Sequence, residues 1–189
     1  MDSAAVLSLF RSSDALLEGH FKLSSGLHSP GYLQCALVLQ HPRHAETLGR
    51  ALADSLRDLG GNVVLSPALG GLIIGHEVGR ALGVRAIFAE RQDGVLTLRR
   101  GFSLTPADRV LVIEDVVTTG GSTRETMNVA AASGATVAGA GAIIDRGGGA
   151  PGLSAPFRAL VTLVLATYQP DACPLCAAGA PITKPGSRT

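Results

Sequence analysis

Short apolar runs alternate along this chain with stretches in which apolar residues recur at helical spacing. Residues 110–113 are four consecutive β-branched or leucine residues, a run typical of a strand buried on both faces. The same reasoning predicts strands at 63–65, 84–89, 137–144 and 160–165, and helices at 42–59, 70–82 and 122–133. Strands that alternate with helices predict an α/β fold with a central, mostly parallel sheet flanked by helices.

The remaining segments are less regular. Residues 2–18 predict one or two short helices, and short extended pieces are expected at 21–23 and 32–34. A polar excursion over 92–106 contains an apolar stretch, 95–98, that predicts one half of a hairpin. The chain has 189 residues, no internal repeat and no linker-like boundary, so we expect a single domain spanning 1–189.

Composition and charge exclude several classes of protein. Hydrophobic residues make up 46% of the chain and charged residues 16%, which is typical of a compact globular protein. A formal net charge of +1 provides no basic field for nucleic acid. The N-terminus does not resemble a signal peptide, and polar residues interrupt the uncharged stretch between Glu125 and Asp145. We therefore expect a cytoplasmic protein with no nucleic-acid or membrane partner.

Two adjacent carboxylates follow the strand at 110–113, and they are the first candidates for chemistry. Glu114 and Asp115 are predicted where that strand ends, at the edge where open α/β sheets bind ligands. The next residues form a turn rich in hydroxyls and glycine, which offers N–H groups and a helix N-terminus to an anion. Acids beside a phosphate cradle suit a phosphorylated sugar, since they can bind ribose hydroxyls or a hydrated metal ion.

An ordinary strand, turn and capped helix is the alternative interpretation of this run. Ser122 and Glu125 have the spacing of a capping box, which would explain the turn without a ligand. However, a structural turn does not require two acids side by side at the end of a buried strand. The functional interpretation is therefore preferred.

Two other segments could bind an anion. Gly70 and Gly71 lie between a predicted strand and helix, and their lack of a side chain lets a ligand approach the backbone. Arg91, Arg99 and Arg100 are concentrated in the excursion, where cations could close over a leaving group and stabilise its charge. For the segment that contains the arginines, the alternative interpretation is a solvated hairpin with arginines on its surface.

The run 110–123 resembles the signature of the type I phosphoribosyltransferases, which bind 5-phosphoribosyl 1-diphosphate (PRPP). Residues 19–32, Asp145-Arg146, and a tail containing Cys173-Pro174-Leu175-Cys176 resemble the orotate phosphoribosyltransferase family. The resemblance implies the type I fold, with a small hood built from the N-terminal segment to about residue 40 and the C-terminal segment from about residue 146. It also implies transfer of phosphoribose from PRPP to orotate in pyrimidine (UMP) biosynthesis, giving orotidine 5′-monophosphate and diphosphate.

The resemblance also implies partners and residue roles. Family members are usually homodimers in which the loop at 91–101 is shared between subunits, and Mg²⁺ arrives on the diphosphate of PRPP, with no protein ligand assigned with certainty. The catalytic residues would be Asp115, Glu114, Arg91, Arg99 and Arg100, with the acids on the ribose hydroxyls. Orotate would contact Thr118, Arg146 and Ser24. The PRPP site would comprise Arg91, Gly70, Gly71, Glu114, Asp115, Val116, Val117, Thr118 and a 5-phosphate cradle of Thr119, Gly120, Gly121, Ser122 and Thr123.

The chain departs from the family at three positions where many members have lysine. These are Ser24, Gly70 and Gln92, in a chain with only two lysines and fourteen arginines. The excursion's arginines are candidates to replace the missing cations. The departures leave open a purine-base phosphoribosyltransferase or a non-catalytic PRPP-binding regulator. Arg146 discriminates against a purine, because an arginine aimed at a carboxylate has little use for adenine.

Three cysteines do not form a disulfide framework. Cys35 is expected to be a buried apolar side chain. Cys173 and Cys176 have zinc-ligand spacing but supply only two of four ligands, so a site would require nearby histidines or a partner subunit. A structural role without metal is the favoured prediction for this pair.

Overall fold

The computed structural model describes residues 1–23, 25–148 and 152–185. The helices are α1 (Ser3–Ser12), α2 (Cys35–Leu39), α3 (Pro42–Leu56), α4 (Gly71–Leu82), α5 (Gly121–Ala132) and α6 (Pro174–Ala177). The strands are β1 (Leu16–Lys22), β2 (His28–Leu33), β3 (Val63–Pro67), β4 (Arg85–Gln92), β5 (Val95–Leu98), β6 (Arg109–Val117), β7 (Thr136–Asp145) and β8 (Phe157–Thr162).

A six-stranded sheet forms the centre of the molecule in the order β5-β4-β3-β6-β7-β8. Only the β4–β5 pair is antiparallel, so the predicted mostly parallel sheet is confirmed. The chain passes from β3 to β4 on one side and then returns to place β6 on the other side of β3. Ligands bind at such a switch point, outside the carboxyl ends of the two strands.

Helices cover both faces of this sheet because each buried strand is apolar on both sides. Leu111 and Ile113 pack with the core beneath α3 and α4, whereas Val110 and Val112 pack with the core beneath α5. The uninterrupted apolar run that predicted β6 is thus divided between two cores, as strand geometry requires.

Helix α4 packs very closely on the sheet. A Cβ atom on Gly71 would lie 2.8 Å from the carbonyl oxygen of Ile113, and one on Gly79 would lie 2.8 Å from Cβ of Ala86. Close packing therefore requires glycine on this helix face. It also brings the N-terminus of α4 against the end of β6.

Both ends of the chain contribute to a separate small layer, which we call the hood: β1, β2 and residues 163–185. β1 and β2 form an antiparallel hairpin. The Lys22 amide donates to the Thr183 carbonyl, at 2.9 Å, and His28 and Tyr168 exchange two backbone hydrogen bonds. The sequence resemblance predicted this pairing of the two termini.

Several predicted boundaries were wrong. A second helix before residue 18 is replaced by β1, which starts after Asp14 turns the chain in a left-handed conformation with φ 52°. The last strand is β8 (Phe157–Thr162), three residues earlier than predicted, and helix α2 was missed. The strand β6 continues to Val117 because β7 pairs with it that far, so the two acids lie within the strand. Among the described residues, every helix is too short or too polar to cross a bilayer.

Candidate active site

Glu114 and Asp115, which we call the acid pair, point to opposite faces of the sheet. Consecutive strand residues alternate in direction, and each acid therefore meets a different turn. Glu114 Oε1 accepts a hydrogen bond of 2.5 Å from Ser122 Oγ, at the start of α5. Asp115 lies against Gly70, where a Cβ atom would be 2.8 Å from Oδ1. One strand end thus connects both predicted anion-binding turns.

The environment of the acid pair disfavours negative charge. Burial, together with the charge of Asp115, raises the pKa of Glu114 to about 7 despite the opposing hydrogen bond from Ser122. Burial also raises the pKa of Asp115, against the opposing hydrogen bond from the Val116 amide. Two acids that are destabilised as anions are positioned to gain from a cationic or hydroxyl-bearing ligand.

The turn before α5 has free donors for an anion. Gly120 is the N-cap, with φ 72°, and no side chain in the described part of the chain caps this helix. The amides of Gly121, Ser122 and Thr123 are the first of the helix, where N–H groups have no intrahelical acceptor. The buried Thr123 hydroxyl also has no hydrogen-bond partner among the described residues.

The capping-box interpretation of this turn is wrong. Ser122 directs its hydroxyl to Glu114 instead of capping the helix, and Glu125 pairs with Arg91 at 2.8 Å. The two side chains of the predicted capping box therefore bind elsewhere, Ser122 to Glu114 in the cleft and Glu125 to Arg91 at its rim.

A cleft of about 270 Å³ opens between the two turns. It brings together four predicted site residues of different elements, Gly70, Arg91, Asp115 and Ser122, together with Glu114 and Val116. Pro67 and Ala68, from the same predicted anion-binding segment as Gly70, also line it, and so does Leu96, which was not predicted. Leu96 is apolar, so its side chain does not suggest a binding role, although the sequence predicts its position in the β5 half of the hairpin.

The three arginines of the excursion have different environments. The excursion forms the β4–β5 hairpin, whose Asp93-Gly94 turn has positive φ at both residues, as a two-residue hairpin turn requires. Arg91 lines the cleft, whereas Arg100 makes a two-pronged ion pair with Glu90. Arg99 is exposed and does not line the cleft. The structure thus brings one of the three arginines to the acid pair.

Arg146 lies beside Thr118 at the far end of the same sheet edge. Its amide donates to the Val117 carbonyl at 2.8 Å, and Gly147 packs against the Thr118 carbonyl too closely to allow a side chain. Arg146 Nε is buried and has no hydrogen-bond partner among the described residues. An unpaired buried guanidinium nitrogen is costly, so an anionic ligand would stabilise it.

The remaining predicted residues lie at the margins. Val117 ends β6, Thr118 and Thr119 are exposed, and Gly71 begins α4. Gln92 ends β4 at the surface, and Ser24 lies outside the described residues. At Gly70 the carboxylate of Asp115 occupies the space where a side chain would begin, which gives a steric reason for glycine at this position.

The acid pair also fits a hard divalent cation. Magnesium prefers carboxylate oxygens and retains several waters, and it is commonly held by one or two acids together with substrate phosphates. Asp115 Oδ1 accepts from the Val116 amide, and Glu114 Oε1 from Ser122, which orients both carboxylates at the cleft. The donor set present is therefore suited to magnesium that is shared with a phosphorylated ligand.

Two solved structures with a similar architecture are both phosphoribosyltransferases. An orotate phosphoribosyltransferase of Mycobacterium tuberculosis, crystallised with inorganic phosphate, has a TM-score of 0.71 and 25% identity over 85% of this chain and 95% of that one. An adenine phosphoribosyltransferase of Trypanosoma brucei has a TM-score of 0.63 and 20% identity over 85% of this chain and 80% of that one, which supports the fold alone. The sheet order and these neighbours show that the chain has the fold of the type I phosphoribosyltransferases.

Curated relatives narrow the class. The orotate phosphoribosyltransferase of Pelotomaculum thermopropionicum is 54% identical over 183 residues, covering 97% of this chain and 96% of that protein. That of Heliobacterium modesticaldum is 53% identical over 191 residues, covering the full length of both chains. No protein-family model matches the chain. The chain belongs to the orotate phosphoribosyltransferase family, whose members are pentosyltransferases.

Proposed function

We propose that the acid pair and the two turns beside it bind PRPP and transfer its phosphoribosyl group to orotate, giving orotidine 5′-monophosphate and diphosphate. Family membership supports the reaction, which belongs to pyrimidine biosynthesis. The observation that carries the residue assignment is the divergence of Glu114 and Asp115 from one strand end to two turns. This arrangement matches a sugar that carries a phosphate at one end and a diphosphate at the other.

The 5-phosphate would bind at the start of α5. The amides of residues 121–123 and the hydroxyls of Thr119 and Thr123 are the donors, and the helix dipole favours negative charge there. The diphosphate would bind at the loop before α4, where Gly70 and Gly71 expose the backbone. The acid pair between them would accept hydrogen bonds from the ribose hydroxyls.

Arg146 would bind the carboxylate of orotate, with Thr118 beside the base. The unpaired buried Nε supports this assignment, because a planar guanidinium pairs with a planar carboxylate through two hydrogen bonds. Ser24, which the resemblance also assigns to orotate, stays a prediction.

Catalysis would rest on positioning and on charge stabilisation. As the bond between C1 and the diphosphate breaks, positive charge develops on the ribose and negative charge on the leaving group. Ionised Glu114 and Asp115 would stabilise the ribose, and Arg91 at the rim would stabilise the diphosphate. Arg99 and Arg100 would contribute only if the hairpin rearranges, because the Glu90 ion pair holds Arg100 away from the cleft.

Magnesium, bound with PRPP, would neutralise part of the diphosphate charge and so make it a better leaving group. Asp115 and Glu114 are the residues that would hold it, mostly through water. Burial raises the pKa of both carboxyls, and a cation bound beside them would favour their ionised forms.

We further infer a single-domain, cytoplasmic homodimer in which the hairpin at 91–101 reaches the neighbouring active site. Leu69, 83% exposed, and Ile73, 44% exposed, lie on the diphosphate loop and the outer face of α4. Exposed apolar side chains beside the cleft support a subunit interface there.

An assay with separate bases tests the reaction. The protein is incubated with PRPP and Mg²⁺ together with orotate, adenine or hypoxanthine, and diphosphate release is measured. We expect release with orotate alone. Release with a purine would favour the purine-base alternative, and PRPP binding without release in any mixture would favour the regulator.

A further inference from the structure

Four donor atoms converge in the hood, and none of them belongs to a residue that lines the cleft. They belong to His20 and His28 of the β1–β2 hairpin and to Cys173 and Cys176 at the start of α6, and we call them the histidine–cysteine cluster. All four donor atoms lie within 4.8 Å of one another. Three of the residues are buried, and only Cys176 reaches the surface.

Four of the six distances within the cluster are close to those between the ligands of one tetrahedral ion. His20 Nε2 lies 3.1 Å from His28 Nδ1, 3.5 Å from Cys173 Sγ and 3.7 Å from Cys176 Sγ, and Cys176 Sγ lies 3.3 Å from His28 Nδ1. Zinc–nitrogen bonds of about 2.0 Å and zinc–sulfur bonds of about 2.3 Å place neighbouring ligand atoms roughly 3.3–3.8 Å apart. Separate hydrogen bonds between pairs of these side chains would not require all four atoms to surround one point, whereas a shared metal ion does.

The other ring nitrogen of His20 shows that the ligand atom is oriented. Nδ1 lies 2.9 Å from the Ala180 carbonyl oxygen, and because a carbonyl can only accept, Nδ1 carries the proton. The lone pair of Nε2 therefore points into the cluster. A backbone carbonyl that fixes the tautomer of a histidine is the usual second contact of a metal-bound imidazole.

We propose that His20, His28, Cys173 and Cys176 bind one zinc ion in a closed, structural site. Two thiolates balance the charge of Zn²⁺, so the buried site is neutral overall, and this softer ligand set suits zinc better than magnesium. Four protein ligands leave no open position for a substrate, which distinguishes the site from a catalytic metal centre.

The site would join the two ends of the chain. The hood contains a two-stranded hairpin and short C-terminal segments, and such a layer buries little apolar surface of its own. Zinc would hold the hairpin to α6 and so complete the structure above the sheet. The prediction of a metal-free role for Cys173 and Cys176 is thereby replaced, because the structure supplies the two histidines that it lacked.

Metal content and cobalt spectroscopy of the full-length protein test the proposal. After growth with zinc and extensive dialysis, we expect about one zinc per chain. Cobalt exchanged into the same protein should give the intense visible bands of a tetrahedral ion and a thiolate-to-cobalt charge-transfer band. Zinc below about 0.1 per chain, or an octahedral cobalt spectrum without the thiolate band, would overturn the proposal, and a hydrogen-bonded cluster would then be the correct description.

Matched variants locate the site. Cys173→Ser/Cys176→Ser and His20→Gln should lose the metal, whereas Cys35→Ala and His76→Gln should retain it, because Cys35 lies in the main core and His76 is exposed on α4. Equal zinc in all variants would contradict the assignment. If the cluster variants fail to fold, the wild-type spectrum still decides. Removal of zinc by a chelator should lower the wild-type Tm by roughly 5–10 °C.

Discussion

The acid pair and the histidine–cysteine cluster are both groups of polar side chains that are mostly buried, yet they are built differently. The acid pair consists of neighbouring residues of β6, a strand that pairs with β3 as far as Val112 and with β7 past the acids to Val117. The cluster consists of residues up to 156 positions apart, gathered by a hairpin and a short helix. One is a site placed by the fold, and the other helps to hold part of the fold together.

This difference predicts different consequences of mutation. Removing a carboxylate at the sheet edge relieves a buried charge and should leave the fold intact. Removing a ligand from the cluster breaks the connection between the two termini. Activity should therefore report on the first region, and stability and metal content on the second.

Asp115→Asn should have the largest effect. The variant loses an anion that stabilises the ribose, and we expect kcat to fall about a hundredfold or more, in the range typical for one electrostatic contact to a transition state. Zinc content and Tm should stay close to wild type. The control Asp54→Asn lies on the exposed side of α3 and should keep full activity. A near-normal rate in Asp115→Asn would remove the acid pair from the mechanism.

Glu114→Gln should make the protein more stable at alkaline pH. The pKa of Glu114 in the folded protein, about 7, exceeds its ordinary value of 4.5, so the folded state binds more protons than the unfolded state between these values. The free energy of unfolding of the wild type therefore decreases as the pH rises through this window, by at most about 3 kcal/mol. Urea unfolding should show that the variant lacks this decrease.

The matched control for that measurement is Glu46→Gln. Hydrogen bonding and charge from Arg50 and Arg80 lower the pKa of Glu46, so its replacement should give no gain at pH 8. If Glu114→Gln were no more stable than wild type at pH 8, the ionised Glu114 carboxylate would not destabilise the folded protein as we infer.

Arg146→Gln should raise the KM for orotate about tenfold and leave the KM for PRPP unchanged, since one charge-assisted contact contributes roughly 1.5 kcal/mol or more. Steady-state kinetics with each substrate varied in turn measure both constants. Equal changes in the two constants would indicate a general disturbance of the sheet edge.

Arg91→Ala and Arg100→Ala should show the smallest, but most discriminating, difference. Arg91 lines the cleft and should lose several-fold in kcat/KM for PRPP, whereas Arg100, paired with Glu90 outside it, should lose less than about twofold. If Arg100→Ala lost more kcat/KM for PRPP than Arg91→Ala, the hairpin would have to adopt a different register when substrate binds.

The sequence predicted the acid pair and the alternation of strands and helices around it, because the relevant residues are close in sequence and carry a strong local pattern. It predicts an acid pair and two anion-binding segments, but not that the acids diverge to opposite faces, because the apolar run at 110–113 predicts a strand that ends before them. Only the pairing of β6 with β7 extends the strand through Glu114 and Asp115.

Only half of the histidine–cysteine cluster could be predicted, because its residues are far apart in sequence. Cys173 and Cys176 are visible as a spaced pair, whereas His20 and His28 are two single histidines that carry no metal-binding spacing. Their approach to the cysteines depends on the hairpin pairing with residues 168 and 183, which no local pattern specifies. Long-range backbone contacts, rather than residue identity, were the missing information.

Because Glu114 and Asp115 point to different turns, the two residues cannot exchange positions in the sequence. Glu114, with the longer side chain, reaches the hydroxyl at the start of α5, and Asp115, with the shorter one, fits against Gly70. Inserting a single residue ahead of them in β6 would reverse which acid faces which helix, and would also turn its apolar positions toward the opposite cores. The pairing register of β6 therefore determines which acid lies beside which turn.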